Sequence, residues 1–327
     1  MICTNCNKHL QSFCATKVWE VRLIIYREYG FKPHKMKTFV LVLQLLGALA
    51  ACGQHQPITS HPWFKTKQIN ANVWRISDGD VDNIYLIAGR DSALLIDCGI
   101  GAANLKEYVK SITKLPLIVI NTHSHPDHSG SNNQFAVVHA HPNDFDMLRF
   151  FGTSAMRTNT IKAMVRNPLP DSLKFHVKDT LYYPVLKPVE DGQIFNVGGR
   201  KIEVIHVPGH TPGSICLLDH QDKVLYTGDN DNTLVWLHPK DALPLETYLG
   251  SLKKLQYREK EFTTLFPAHG EPIDKSFIAE QITCAERIIA GSCQGKPYDS
   301  FVGKGLVCGY KRAQIVYDPA KLRAVGH

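Results

Sequence analysis

Leu117-Ile118-Val119-Ile120, followed by Asn121-Thr122-His123-Ser124-His125-Pro126-Asp127-His128-Ser129-Gly130, sets a short apolar run directly before three imidazoles and a carboxylate. An apolar run of that kind reads as a buried strand, and the Pro and Gly behind it mark a loop. The histidines therefore fall at a strand end, where α/β proteins usually place their chemistry. Alternate residues of an extended segment point the same way, so His123 and His125 can grip one ion. Asp127 and His128, on the turn, are then placed for a second ion nearby. Neutral imidazole suits zinc and other late first-row divalent ions, and carboxylate is a harder ligand able to bridge two of them.

Upstream, Val73–Ile76, Asn83–Ile87 and Ala93–Ile96 read as three short strands joined by Asp/Gly-rich turns, preceded by a polar linker over 53–70. Leu105, Tyr108, Val109 and Ile112 share one face of a helix over 102–113. Downstream, 136–140 reads as a strand, and Pro142-Asn143-Asp144 begins a helix. Between 145 and 190 the pattern turns irregular and reads as an inserted helical segment or lid, or as aromatics packed onto the domain. Strands follow at 201–207, 214–218 and 224–226, a helix at 245–257, a helix at 274–290 and a final strand at 313–317.

Each ion still lacks ligands. Three later loops supply them: Pro208-Gly209-His210-Thr211-Pro212-Gly213, Thr227-Gly228-Asp229-Asn230 and Ala268-His269-Gly270. The spaced set resembles the metallo-β-lactamase superfamily across roughly residues 70 to 275. The resemblance implies an α/β fold, an αββα sandwich of two mixed sheets face to face with helices outside and two divalent metal ions, zinc preferred, at one edge. It implies that His123, His125 and His210 bind the first metal, that Asp127, His128 and His269 bind the second, and that Asp229 bridges them. Asp97, behind the strand Leu94-Leu95-Ile96, matches the family's aspartate that orients the site.

Two ions held together lower the pKa of a bridging water and generate hydroxide near neutral pH. The expected reaction is attack of that hydroxide on the carbonyl of a small-molecule lactone, ester or thioester, with Asp127 as proton acceptor and without a covalent enzyme intermediate. Cys98 and Ser129 lack the base and orienting partner that a nucleophile requires. An aspartate bridge resembles glyoxalase II thioesterases and acyl-homoserine lactonases, whereas zinc β-lactamases commonly have Cys or Ser nearby. Lactone or ester hydrolysis leads narrowly because the tail after His269 shows no recognisable glutathione-binding domain. A β-lactam is the alternative. Phosphodiester cleavage and a non-catalytic binding module rank below it, the first for want of a basic stripe and the second because no ligand is missing.

The chain of 327 residues has a formal charge of +7, but the charge is uneven. Seven Lys and Arg against two Glu give the first 51 residues +5 and leave +2 for the rest. That balance argues against a nucleic-acid partner. Residues 36–52 run from a short basic start through an apolar core to Leu49-Ala50-Ala51-Cys52. This is a secretory signal pattern, too short for a comfortable transmembrane helix. Its end resembles the lipobox of bacterial lipoproteins, which implies a lipid on Cys52 and a protein anchored to the membrane on the extracytoplasmic side of the cell envelope. Residues 1–35 are then expected to be an over-extended reading frame, leaving 71–327 as the hydrolase domain. Of the remaining cysteines, Cys98 and Cys216 read as buried thiols, with room for one bridge among Cys284, Cys293 and Cys308.

Overall fold

The computed structural model describes residues 60–165, 169, 171–174 and 183–324. The leader, Cys52 and parts of the irregular segment lie outside the described residues. Two sheets form the body. The first runs in the order β1 (Phe64–Asn70), β2 (Val73–Asp78), β3 (Asp82–Ala88), β4 (Ala93–Ile96), β5 (Leu117–Ile120), β6 (Val137–Ala140), β7 (Val185–Pro188). It is antiparallel as far as β4 and parallel from there on. The second holds β8 (Ile194–Asn196), β9 (Lys201–His206), β10 (Ile215–Asp219), β11 (Val224–Gly228), β13 (Thr264–Pro267) and β14 (Ile273–Asp274), with β13 parallel to β11. A third sheet, in the order β12 (Leu234–Leu237), β17 (Ala313–Tyr317), β16 (Gly303–Tyr310), β15 (Lys296–Ser300), was not expected beyond its strand at 313–317.

Side-chain alternation fixes the layering. In β4, Leu94 and Ile96 enter the core between the two large sheets, while Ala93 and Leu95 face outward. In β10, Ile215 and Leu217 enter the same inner core, while Cys216 and Leu218 face the other way. Both strands are buried on both sides, which is why they read as unbroken apolar runs. Outside the first sheet lie α1 (Leu105–Ile112), α2 (Pro126–Ser129), α3 (Phe145–Phe151), α4 (Ser154–Met164) and α5 (Asp171–Lys174), with Leu105, Val109, Ile161 and Leu173 in the outer core. Outside the second lie α6 (Leu245–Tyr257) and α7 (Phe277–Ile289), together with inward residues of the third sheet. The result is the expected αββα order with one sheet added.

One reading changes. The stretch 53–70 is not all linker, because Phe64–Asn70 pairs with β2, and Trp63 and Phe64 are buried. The polar Lys65, Lys67 and Gln68 suit an edge strand facing water. The irregular segment resolves in part into α3, α4 and α5. Cys293 is bonded to Cys308, and Cys98, Cys216 and Cys284 are buried thiols.

Backbone contact shapes the metal-motif loop. The Gly130 N–H donates to Gly99 O at 2.8 Å, and the Cys98 N–H donates to His128 O at 2.7 Å. A Cβ on Gly130 would sit 2.3 Å from the Ile100 carbonyl carbon, and one on Gly101, where φ is +81°, would sit 2.4 Å from Gly130 O. Gly130→Ala is therefore expected to cost about 2–3 kcal/mol by overpacking rigid backbone. Gly250→Ala, on α6 with open space around it, should instead stabilise by about 0.5–1 kcal/mol. Urea unfolding of the two variants checks both signs.

Candidate metal centre

The site lies where β4, β5 and β11 end, and its loops hold the histidines by their outer ring nitrogens. His210 Nδ1 donates to Trp236 O at 2.7 Å, and His269 Nδ1 donates to Val81 O at 2.9 Å. A carbonyl only accepts, so in each neutral ring Nε2 is left as a lone pair. His128 Nδ1 stands 3.1 Å from Asp97 Oδ2, and His125 Nε2 stands 3.0 Å from Asp241 Oδ2. A carboxylate beside one ring nitrogen fixes the proton there and leaves the other nitrogen basic. His123 Nδ1 lies 3.1 Å from Thr122 Oγ1, and that hydroxyl donates to Asp97 at 2.8 Å.

The inner nitrogens converge. His125 Nδ1 and His210 Nε2 are 2.9 Å apart, and His123 Nε2 and His128 Nε2 are buried without a hydrogen-bond partner. Lone pairs facing one another in a dry interior repel unless a cation sits between them. Ligand atoms on a tetrahedral ion with bonds of 2.0–2.1 Å stand about 3.4 Å apart. The Asp229 carboxylate meets that spacing on both sides: Oδ2 is 3.4 Å from His210 Nε2, and Oδ1 is 3.5 Å from His128 Nε2 and 3.3 Å from His269 Nε2. Asp127 Oδ2 is 3.6 Å from His128 Nε2 and 3.5 Å from His269 Nε2.

The ligating atoms of His123, His125 and His210 form one cluster, those of Asp127, His128 and His269 a second, and His123, His128 and Asp229 a third that spans the two. The structure thus brings together all seven residues singled out in the sequence, and the donor set fits two divalent cations. Burial pushes the Asp127 carboxyl up, but where no cation sits among them the carboxylates favour protonated His128 and His269 rings, and that positive charge outweighs burial and holds Asp127 well below the usual carboxylate range. Asp229 is held low in the same way, by His269 and His128 against burial. A further grouping, Glu203, His220 and Glu261, is different: Arg258 binds Glu203 at 2.7 and 2.9 Å and Glu261 at 2.7 and 2.8 Å. Its carboxylates are already neutralised by a guanidinium fork.

Two supporting residues escaped the sequence reading. Asp241 orients His125 across a separation of 116 residues, from a loop with no periodic pattern. Asp144, placed at a helix start by its Pro142-Asn143 context, does not cap that helix. Its buried carboxylate accepts from Ser124 N at 2.8 Å, Thr211 Oγ1 at 2.8 Å and Gly213 N at 2.7 Å. It therefore ties the His123/His125 loop to the His210 loop. Asp97 follows β4, with its carboxylate shared between His128 and Thr122.

Comparison with known proteins agrees with the geometry. The metallo-beta-lactamase superfamily profile matches residues 78–269, and the chain belongs to that superfamily. It is 30% identical over 216 residues to "Acyl-coenzyme A thioesterase MBLAC2" of Homo sapiens, covering 59% of this chain and 75% of the relative. It is 27% identical over 194 residues to "Atrochrysone carboxyl ACP thioesterase dmxR1" of Cryptosporiopsis sp., covering 58% of this chain and 48% of the relative. Among solved structures, the stereoselective inverting sec-alkylsulfatase Pisa1 from Pseudomonas sp. superposes with a TM-score of 0.52 at 18% identity, over 70% of this chain and 43% of that one. That likeness shows the fold.

Asp241→Asn keeps the shape of the His125 contact and removes the charge that fixes its tautomer. Affinity of the His123, His125 and His210 cluster for a divalent ion is expected to fall roughly 10–100-fold, read by competition with a chromophoric zinc chelator.

Proposed function

We propose that the protein is a dinuclear metal-dependent hydrolase of acyl thioesters. The observation that carries the proposal is the Asp229 carboxylate, which offers one oxygen to each cluster of nitrogens. His123, His125 and His210 would hold one ion, Asp127, His128 and His269 the other, and Asp229 both, with zinc favoured by the five imidazoles. Bound there, two such ions activate a water near neutral pH and polarise a carbonyl. The chain's own part is to hold that geometry. Asp97 and Asp241 orient His128 and His125, and Asp127, ionised at the site, is placed to accept a proton.

Thioester is preferred over lactone or oxygen ester on two grounds. The names of the relatives are those of thioesterases acting on coenzyme A and carrier-protein substrates. In addition, a thiol leaves as thiolate, with a pKa of about 8.5 in a cysteine side chain, so it needs less acid assistance than an alkoxide. That suits a site whose carboxylates are held ionised. A β-lactam presents a similar carbonyl, and the fold and the site chemistry do not separate it from a thioester, whereas the relatives' names do. Zinc-loaded protein is expected to carry two ions per chain and to release thiol from an acyl-coenzyme A. Asp229→Ala should lose at least one ion and about 10³-fold in kcat/KM, in the range of removing a main electrostatic stabiliser. Turnover of lactone or β-lactam but of no thioester would contradict the substrate class, and an Asp229→Ala protein that keeps both ions and its rate would contradict the bridge.

A lipid anchor at Cys52 is part of the same proposal. The 36–52 pattern supports it, and the Cys293–Cys308 bridge suits an oxidising compartment outside the cytoplasm. No helix among the described residues is long and apolar enough to cross a membrane. In a bacterial host, labelled palmitate is expected on the wild-type chain and not on Cys52→Ala. Equal labelling of the two, or none on either, would remove the anchor.

A further inference from the structure

The seven ligands and their supports leave the acyl half of the substrate unplaced, and the surface beside the first cluster offers it a wall. The turn between β15 and β16 carries Phe301, 59% exposed, and Val302, 43% exposed. Phe301 packs on the Trp236 indole with ring centroids 5.7 Å apart, and Tyr298 reaches the same indole at 6.2 Å. The turn is pinned from below: Ser300 Oγ accepts from His238 Nε2 at 2.8 Å and donates to Gly303 O at 2.9 Å. Trp236 belongs to the metal centre through its carbonyl, which takes the His210 Nδ1 proton at 2.7 Å. On α3, Phe151 stands 6.0 Å from the His125 ring and 5.4 Å from Phe150, itself 52% exposed. The His125 ring therefore has an aromatic neighbour on a helix whose next ring, Phe150, opens to solvent, and the His210 ring is held by the backbone of the strand that carries the Trp236 indole.

We infer that Trp236, Tyr298 and Phe301, with Phe150 and Phe151, form the wall that takes up the apolar acyl chain of the thioester. The inference rests on the proposed thioesterase reading for the identity of its ligand. Phe150 and Phe301 are left in water on elements that adjoin the site, and exposed apolar patches mark binding sites. Rings held by a pinned turn give contact area at low entropic cost. Continuity with the site selects the occupant, because Phe151 borders the His125 ring and Trp236 holds His210 by its backbone, so the hydrocarbon of a carbonyl held at the first cluster would start between them. Tyr298, Phe301 and Val302 lie outside residues 78–269, the part that matches the superfamily. They belong to the added sheet, whereas Trp236, Phe150 and Phe151 lie within the matched part.

The test uses the full zinc-loaded protein with acetyl-, hexanoyl- and decanoyl-coenzyme A, and calorimetric binding of decanoate. Each methylene seated on such a wall raises kcat/KM by up to about fourfold. Phe301→Ser is expected to lower the decanoyl-to-acetyl ratio of kcat/KM about tenfold and to weaken decanoate binding in parallel, with Phe301→Leu recovering most of both. Decanoate binding reads the wall even where no thioester is turned over. Absence of thioester turnover alone would thus contradict the thioesterase reading. A chain-length ratio and decanoate affinity indifferent to Phe301→Ser would overturn the wall. So would a Phe301→Ser protein that loses only its binding to phosphatidylcholine vesicles, which would make the turn a membrane-facing tip.

Discussion

Ring nitrogens that converge around two carboxylates set the terms for the rest of this protein. Each of the five site histidines has its outer nitrogen engaged, by Trp236 O, Val81 O, Asp97, Asp241 or the Thr122 hydroxyl, so the inner nitrogens must converge. Two ionised carboxylates, Asp127 and Asp229, share the same space. Such an arrangement is costly to fold without cations, because buried charge and unsatisfied polar atoms are both expensive. Binding divalent ions offsets that cost, so metal affinity and folding are coupled. Asp229 links the halves, with one oxygen toward His210 and the other toward His128 and His269.

The sandwich brings these residues together by holding loop ends rather than by packing the ligands themselves. Parallel β4 and β5 end side by side, delivering Asp97 next to the His123–His128 run. Backbone contact between Gly101 and Gly130 sets the depth of that run. Asp144 joins it to the His210 loop, which arrives from the other sheet. Asn83 at the start of β3 meets the His269 loop, its N–H donating to Ala268 O at 2.7 Å and its side chain to Gly270 O at 2.8 Å. Four loops from two sheets are thus tied by a handful of buried hydrogen bonds, and the inner apolar core between the sheets keeps their spacing.

The seven converging residues were legible in the sequence because metal chemistry admits few residue types and the glycine-rich loops mark where they sit. Buried strands such as β4, β5 and β10 were equally plain, since burial on both faces leaves an unbroken apolar run. The edge strand β1 was taken for linker because its solvent face is polar, and a strand of that composition differs from a loop only through its pairing with β2. Pro297, Gly303, Gly305 and Gly309 break the pattern of β15 and β16, so the added sheet showed only its most apolar strand. Asp241 and Asp144 act across separations of 116 and up to 69 residues, and a carboxylate that works at such range leaves no local periodicity to read.

The proposed chemistry depends on two ions sharing one carboxylate, and X-ray absorption at the zinc edge of the loaded protein measures that directly. The account predicts nitrogen and oxygen ligands at about 2.0–2.2 Å and a metal–metal vector at about 3.5–4 Å, with the vector lost in Asp229→Ala. A single ion per chain with imidazole ligands and no metal–metal vector in the wild type would contradict it.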